Sequence, residues 1–249
     1  MKTMLAIGAA ALLASAAPAM AQAAPPPAAE QTRDADDPAL AAILADYEAY
    51  QKANNPIAAS RDGDKAARAR LPDASRAFEL AQEPALRGFA ERLAAIDPAT
   101  LSDDDRLNHA FLGYLLRRSL QRIPLDTGRM SAFNSEGGPG QSFAYMAGST
   151  RITSRDDAEA WIGRLQAMPQ TWADELAAVR RGLETGMVQP RPTVESALAL
   201  MEIEAAHTPA TDPLLKPSAT LPDVIPPADE AALRERAAPA VAEGVMPAR

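Results

Sequence analysis

A chain of 249 residues carrying 25 Lys and Arg against 33 Asp and Glu, net charge −8, has room for one large domain or two small ones. Its acidic balance, with no clustered Lys/Arg stripe, argues against nucleic acid as a partner, because phosphate contacts need concentrated positive charge. The absence of cysteine excludes disulfides, thiolate metal ligands and a lipidated cysteine, so stability must come from packing.

Lys2 precedes an apolar run from Leu5 to Ala17 that is too short to span a bilayer. Ala19-Met20-Ala21 then supplies a small-x-small pattern. The combination predicts a signal peptide over residues 1–21, cleaved after Ala21, and a periplasmic or secreted product with no membrane attachment. Residues 22–36 are Ala/Pro-rich and then polar, which predicts a flexible leader ahead of a helical domain over 37–249.

Helical grammar begins at Asp37, a capping residue followed by Pro38 and by Leu40, Ile43, Leu44 and Tyr47 at helical spacing. Asn54-Asn55-Pro56 stops this element. Pro84 opens a segment with Leu86, Phe89, Leu93 and Ile96 on one face, closed by Asp97-Pro98. Ser102 with Asp105 forms a capping pattern for a helix whose inward residues are expected to be Leu107, Phe111, Tyr114 and Leu115. Arg129 to Thr153 breaks the rhythm with Gly, Ser and aromatic residues, and predicts a long loop with room for a short hairpin. Ser154 with Asp157 opens a helix burying Ala158, Trp161, Ile162 and Leu165. Pro169 is expected to end it, leaving a second helix with Trp172, Leu176, Val179 and Leu183 that closes at Gly186 and forms an αα-hairpin with the first. Thr193 starts another, with Val194, Leu198 and Met201 inward. Six prolines between His207 and Pro227 forbid continuous helix. A last helix is expected from Ala228 to about Glu243, with Pro239 inside it. The fold class is therefore all-α, a multi-helix array of antiparallel helices with one long Gly-rich loop and one Pro-rich loop.

The inventory of reactive groups is thin. His109 and His207 are the only histidines, neither begins a His-Glu-x-x-His pair, and a structural role suits both. Gly140-Gln141-Ser142-Phe143-Ala144 lacks the final glycine of a nucleophile elbow, which ranks a serine hydrolase built on Ser142 far below the other readings. Asp103-Asp104-Asp105 and Asp156-Asp157 stand at helix starts, where capping accounts for them. The stretch Asn134 to Gly140 lacks Gly-Lys-Ser/Thr and is not a phosphate loop. Its glycines serve equally well as a tight turn or as part of a binding surface.

Several clusters occur in a specific order: Asp104-Asp105-Arg106-Leu107-Asn108, the loop from Asn134 to Pro139, and Trp161 with Arg164-Leu165 ahead of Pro169. Arg181-Gly182-Leu183, Gly186 to Arg191, Pro213-Leu214-Leu215 and Gly244-Val245-Met246-Pro247 continue the order. From about Pro38 to the C-terminus the chain resembles the bacterial domain of unknown function 885 family. That resemblance implies an almost wholly helical, zinc-metallopeptidase-like protein whose His-Glu metal motif lies in a second half beyond the matched stretch. This chain is then expected to be the N-terminal half, with no catalytic or metal residue of its own, no cofactor, and zinc only in the missing C-terminal half. The residues that transfer are Asn134, Gly137, Gly138 and Pro139, as a substrate-cleft loop, although Ser135 and Glu136 depart from the family's Gln and apolar residues. The expected partners are a peptide substrate or a C-terminal half polypeptide. The alternative is a non-enzymatic periplasmic helical binding module, in which amphipathic helices and the Gly-rich loop bind a peptide or protein.

Overall fold

The computed structural model describes residues 37–249, and the expected signal segment, its cleavage site at Ala19 and Ala21, and the leader over 22–36 lie outside the described residues. Among the described residues the protein is all-α, with only an isolated bridge between Asn134 and Gly137 and no strand. No described helix is long and apolar enough to cross a membrane.

Helix starts follow the local chemistry that the sequence announces. In α1 (Pro38–Asn54) the Asp37 carboxylate accepts the Leu40 amide at 2.8 Å, and Pro38 occupies the first turn. Asn55 closes α1 and caps α2 (Pro56–Arg61), its side-chain oxygen accepting the Ala58 amide at 3.1 Å. A 3₁₀ turn (Ala66–Ala69) and α3 (Arg76–Ala81) lead to α4 (Glu83–Ala94). In α5 (Asp103–Leu125) Ser102 caps the Asp105 amide at 3.2 Å. Asp105 then accepts the Asp37 amide at 2.8 Å, so one buried carboxylate ties the starts of α1 and α5 together.

Those three helices enclose a first hydrophobic cluster: Leu40 and Ile43 from α1, Leu86, Phe89 and Leu93 from α4, and Leu112, Leu116 and Ile123 from α5. The expected inward face of α5 is corrected by this packing. Leu107, Phe111 and Tyr114 are 69%, 60% and 48% exposed. The helix carries two apolar stripes, and α1 and α4 cover only the one through Leu112, Leu116 and Ile123.

α6 (Gly128–Ser131), α7 (Pro139–Ser149) and α8 (Arg155–Thr185) follow. The irregular Gly-rich stretch is shorter than expected, because residues from Pro139 onward wind into α7 with Pro139 in its first turn. The expected break at Pro169 is absent: α8 is one helix of 31 residues with Pro169 inside it. Proline costs a helix interior roughly 3 kcal/mol. Burial on both sides of it offsets that cost, since Trp161, Ile162, Leu165, Met168 and Trp172 are all at most 3% exposed and each such side chain contributes about 1.5–3 kcal/mol.

α8 is the spine of the second hydrophobic cluster, joined by Phe143 of α7, by Leu214, Leu221 and Ile225 of the Pro-rich segment, and by Leu233, Val241 and Val245. α9 (Arg191–Ala205) buries Ala197 and Glu204; of the three residues expected inward, Met201 packs against the second core while Val194 and Leu198 stay exposed. The Pro-rich segment holds a 3₁₀ turn (Pro213–Leu215) and the single-turn α10 (Lys216–Ala219). α11 (Pro227–Pro239) widens after Pro239 into a π-helical stretch (Ala240–Val245), and α12 (Met246–Ala248) ends the chain. That stretch packs along α8; a Cβ on Gly244 would meet the Pro169 ring at 3.6 Å.

Candidate functional site

An ionic hub joins the elements around the α5–α6 corner. Asp126 follows α5 with φ 47°, a left-handed conformation that Asp tolerates better than most residues. Its two carboxylate oxygens accept from Nε and Nη2 of Arg181 at 3.1 Å each, and Arg129 and Arg76 approach to 3.4 and 3.9 Å. The Arg181 hydrogen bonds, reinforced by the charges of Arg181, Arg76 and Arg129 and opposed by burial, hold the Asp126 carboxyl below its ordinary range. At the next residue of α8, Gly182 lets backbones meet: a Cβ there would stand 2.6 Å from the Met187 carbonyl oxygen and 2.9 Å from that of Arg129.

Two cavities elsewhere have Ser142 in both walls. The smaller, about 180 Å³, is bounded by the Gly-rich loop, including Asn134, Gly137, Gly138 and Pro139, together with Glu136 and Glu175. Asn134 and Gly137 exchange backbone hydrogen bonds of 2.8 and 3.0 Å, and the Asn134 side chain accepts the Glu136 amide at 2.7 Å. Gly137 has φ 106°, open only to glycine without strain. At Gly138 a Cβ would overlap the Phe133 ring, which itself packs against Trp172. The loop is thus a rigid turn clamped onto the second core, with polar groups facing a small hollow. Burial, with the charge of Asp174 adding to it, raises the Glu175 carboxyl above its ordinary value.

The larger cavity, about 490 Å³, is unusual for so acidic a chain, because four arginines line it against a single carboxylate. Arg61 ends α2, Arg68 sits in the first 3₁₀ turn, Arg151 follows α7 and Arg164 lies on α8. Arg68 pairs with Asp157 at 2.7 Å. Burial opposes ionisation of Asp157, but the Thr153 hydroxyl and amide at 2.7 and 3.1 Å, Ser154 and Arg68 outweigh it and hold its carboxyl below the ordinary range. Arg164 reaches only the Ser60 hydroxyl, at 3.4 Å, and its Nε is shut from solvent without a partner. Burial lowers its pKa. Among the described residues, no ion pair forms from Arg61, Arg151 or Arg164.

His109, on α5, approaches the Leu93 carbonyl at 3.0 Å and so engages the end of α4; the His207 amide closes the turn after α9 on the Glu204 carbonyl. Among the described residues no three His, Cys, Asp or Glu side chains converge as a metal-ligand group, so the residues present do not fit a zinc site. Ser142, in the middle of α7, makes no side-chain hydrogen bond with a base among the described residues.

Sequence reasoning located the loop but not the arginine cavity. Its four arginines are spread from residue 61 to residue 164 with no common spacing, and only the folding of α2, α7 and α8 around one another gathers them.

Fold and site together define a helical protein with an arginine-lined hollow beside a clamped glycine turn. The chain belongs to the family described as bacterial protein of unknown function (DUF885), whose model matches residues 56–249. No curated protein and no solved structure matches it.

Proposed function

We propose that this chain is the exported N-terminal half of a metallopeptidase-like helical fold, supplying one wall of a substrate cleft rather than the catalytic metal. The observation that carries this reading is apolar surface left without a partner. Leu107, Phe111 and Tyr114 recur at i, i+4 and i+7 along α5, so they form one stripe, and Leu125 falls on the same line eighteen residues after Leu107. On α8, Leu176 and Leu183 stand seven residues apart and are exposed, followed by Val188 and by Val194 and Leu198 of α9. A largely apolar groove of about 570 Å³ runs between α4 and α5 beside Leu93, Gly113, Leu116 and Leu120. Isolated apolar side chains on a surface need no explanation, whereas aligned stripes and a groove suit a helical partner.

The occupant in this reading is the C-terminal helical half of the family fold, as a separate polypeptide that brings the zinc ligands. The loop of Asn134, Gly137, Gly138 and Pro139 then faces a peptide substrate across the completed cleft. In a metallopeptidase-like fold hydrolysis relies on a metal-activated water, so the purified chain alone is expected to have no peptidase activity with or without added zinc. The combination with the second half is expected to have activity that a chelator removes. Chelator-insensitive peptidase activity from this chain by itself would overturn the proposal.

A further inference from the structure

We propose that the arginine-lined cavity is an oxyanion site, taking a small molecule that presents a carboxylate or phosphate to Arg61, Arg151 and Arg164. A cationic group withdrawn from water without an acidic partner is costly, and proteins retain such groups where a ligand supplies the missing charge. Arg164 is half-buried and has no acidic partner: it is anchored by one long bond to Ser60, its Nε is shut from solvent, and it projects from α8. Arg68 differs, because Asp157 already neutralises it; it serves as a fixed wall. The three remaining guanidinium groups come from separate elements around one hollow of about 490 Å³, a size suited to a small metabolite. Planar guanidinium forks match carboxylate and phosphate oxygens in pairs. Ser142 offers a hydroxyl donor, the Thr150 hydroxyl being already given to the Met146 carbonyl at 2.7 Å, and Met146 supplies apolar surface for the ligand's body.

None of these residues belongs to the α5 stripe or to the exposed Leu176–Leu183 face, so variants here leave the docking surfaces unaltered.

Isothermal titration of the purified chain with inorganic phosphate, with glutarate and with the uncharged diamide glutaramide tests the site. A charge-assisted contact contributes about 1.5–3 kcal/mol, so at least one of the two anions should bind roughly tenfold or more tighter than glutaramide. R151Q and R164Q should each weaken that anion by a similar factor, while R180Q, outside the cavity, should not. Binding should weaken as NaCl is raised. Phosphate alone binding assigns the site to phosphoryl groups, and glutarate alone to carboxylates. R151Q changes an exposed residue after α7 and keeps the test valid if R164Q fails to fold. Equal affinity for glutarate and glutaramide with no response to phosphate, or anion binding undiminished in both R151Q and R164Q, would overturn the assignment.

Discussion

Replacing Asp126 with Asn removes one negative charge from a point where three arginines converge, with little change in shape. Arg181 holds the carboxylate through two bonds of 3.1 Å, and Arg129 and Arg76 add contacts at 3.4 and 3.9 Å. Breaking a fully buried pair costs about 3–5 kcal/mol, and losing an exposed one costs at most about 1. The Asp126 side chain is 13% exposed and that of Arg181 31%, which places this hub between the limits, near 2 kcal/mol. For a domain of this size that corresponds to a melting temperature lower by about 4–8 °C. Asn tolerates the left-handed backbone, so D126N isolates the charge, and D126G, which relieves any backbone cost, should lose as much. Urea unfolding followed by circular dichroism at several pH values supplies the assay. Because the native carboxyl titrates below its ordinary range, its contribution is fully present above about pH 4 and is lost as pH falls through the depressed native value. The gap between wild type and D126N should therefore narrow in acid. A loss under about 0.5 kcal/mol at pH 7, the range of an ordinary surface change, or a gap that stays constant down to pH 3, would refute the reasoning.

Other sites respond in predictable ways. G182A should cost about 2 kcal/mol in the same assay, because its new methyl meets two backbone carbonyls that cannot move aside independently. L165A, at a fully buried position of the α8 spine, should cost about 2–5 kcal/mol, and a smaller loss would mean the second core collapses readily around the gap. Glu204 is buried against Gly140, and burial raises its carboxyl despite Arg249 and His207 nearby. A raised native pKa means this group favours folding below its ordinary value and loses that contribution as pH rises through the native one. E204Q should therefore gain on wild type in urea midpoint between pH 4 and pH 7; a gain that shrinks instead would contradict the burial argument.

Helix starts were legible because their chemistry is local. Asp37, Ser102 and Ser154 each cap with a side chain reaching an amide three residues on, and no distant contact decides the outcome; Asn55, read only as a stop, caps α2 in the same way. Pro169 was misleading because its penalty is local and its compensation is not: Met168 and Trp172 are buried by segments far along the chain. Helix faces were legible only where one apolar stripe exists. On α5 both Leu107-Phe111-Tyr114 and Leu112-Leu116-Ile123 satisfy the period, and the choice depends on where α1 and α4 dock. In α9, Glu204 takes an inward position because Gly140 leaves space for its carboxylate, which no propensity encodes. For the candidate site, the glycine turn showed itself through composition, while the arginine cavity depends on tertiary convergence.

The stripe on α5 bears the proposed function most directly. The decisive measurement is light scattering after size exclusion on this chain co-expressed with the polypeptide encoded downstream of its last codon, for the wild type and for L107E/F111E. The account predicts an equimolar complex for the wild type, lost in the double variant although that variant stays folded. A wild-type chain that elutes alone, pairs only with itself, or has no further helical sequence encoded after it would contradict the half-cleft reading.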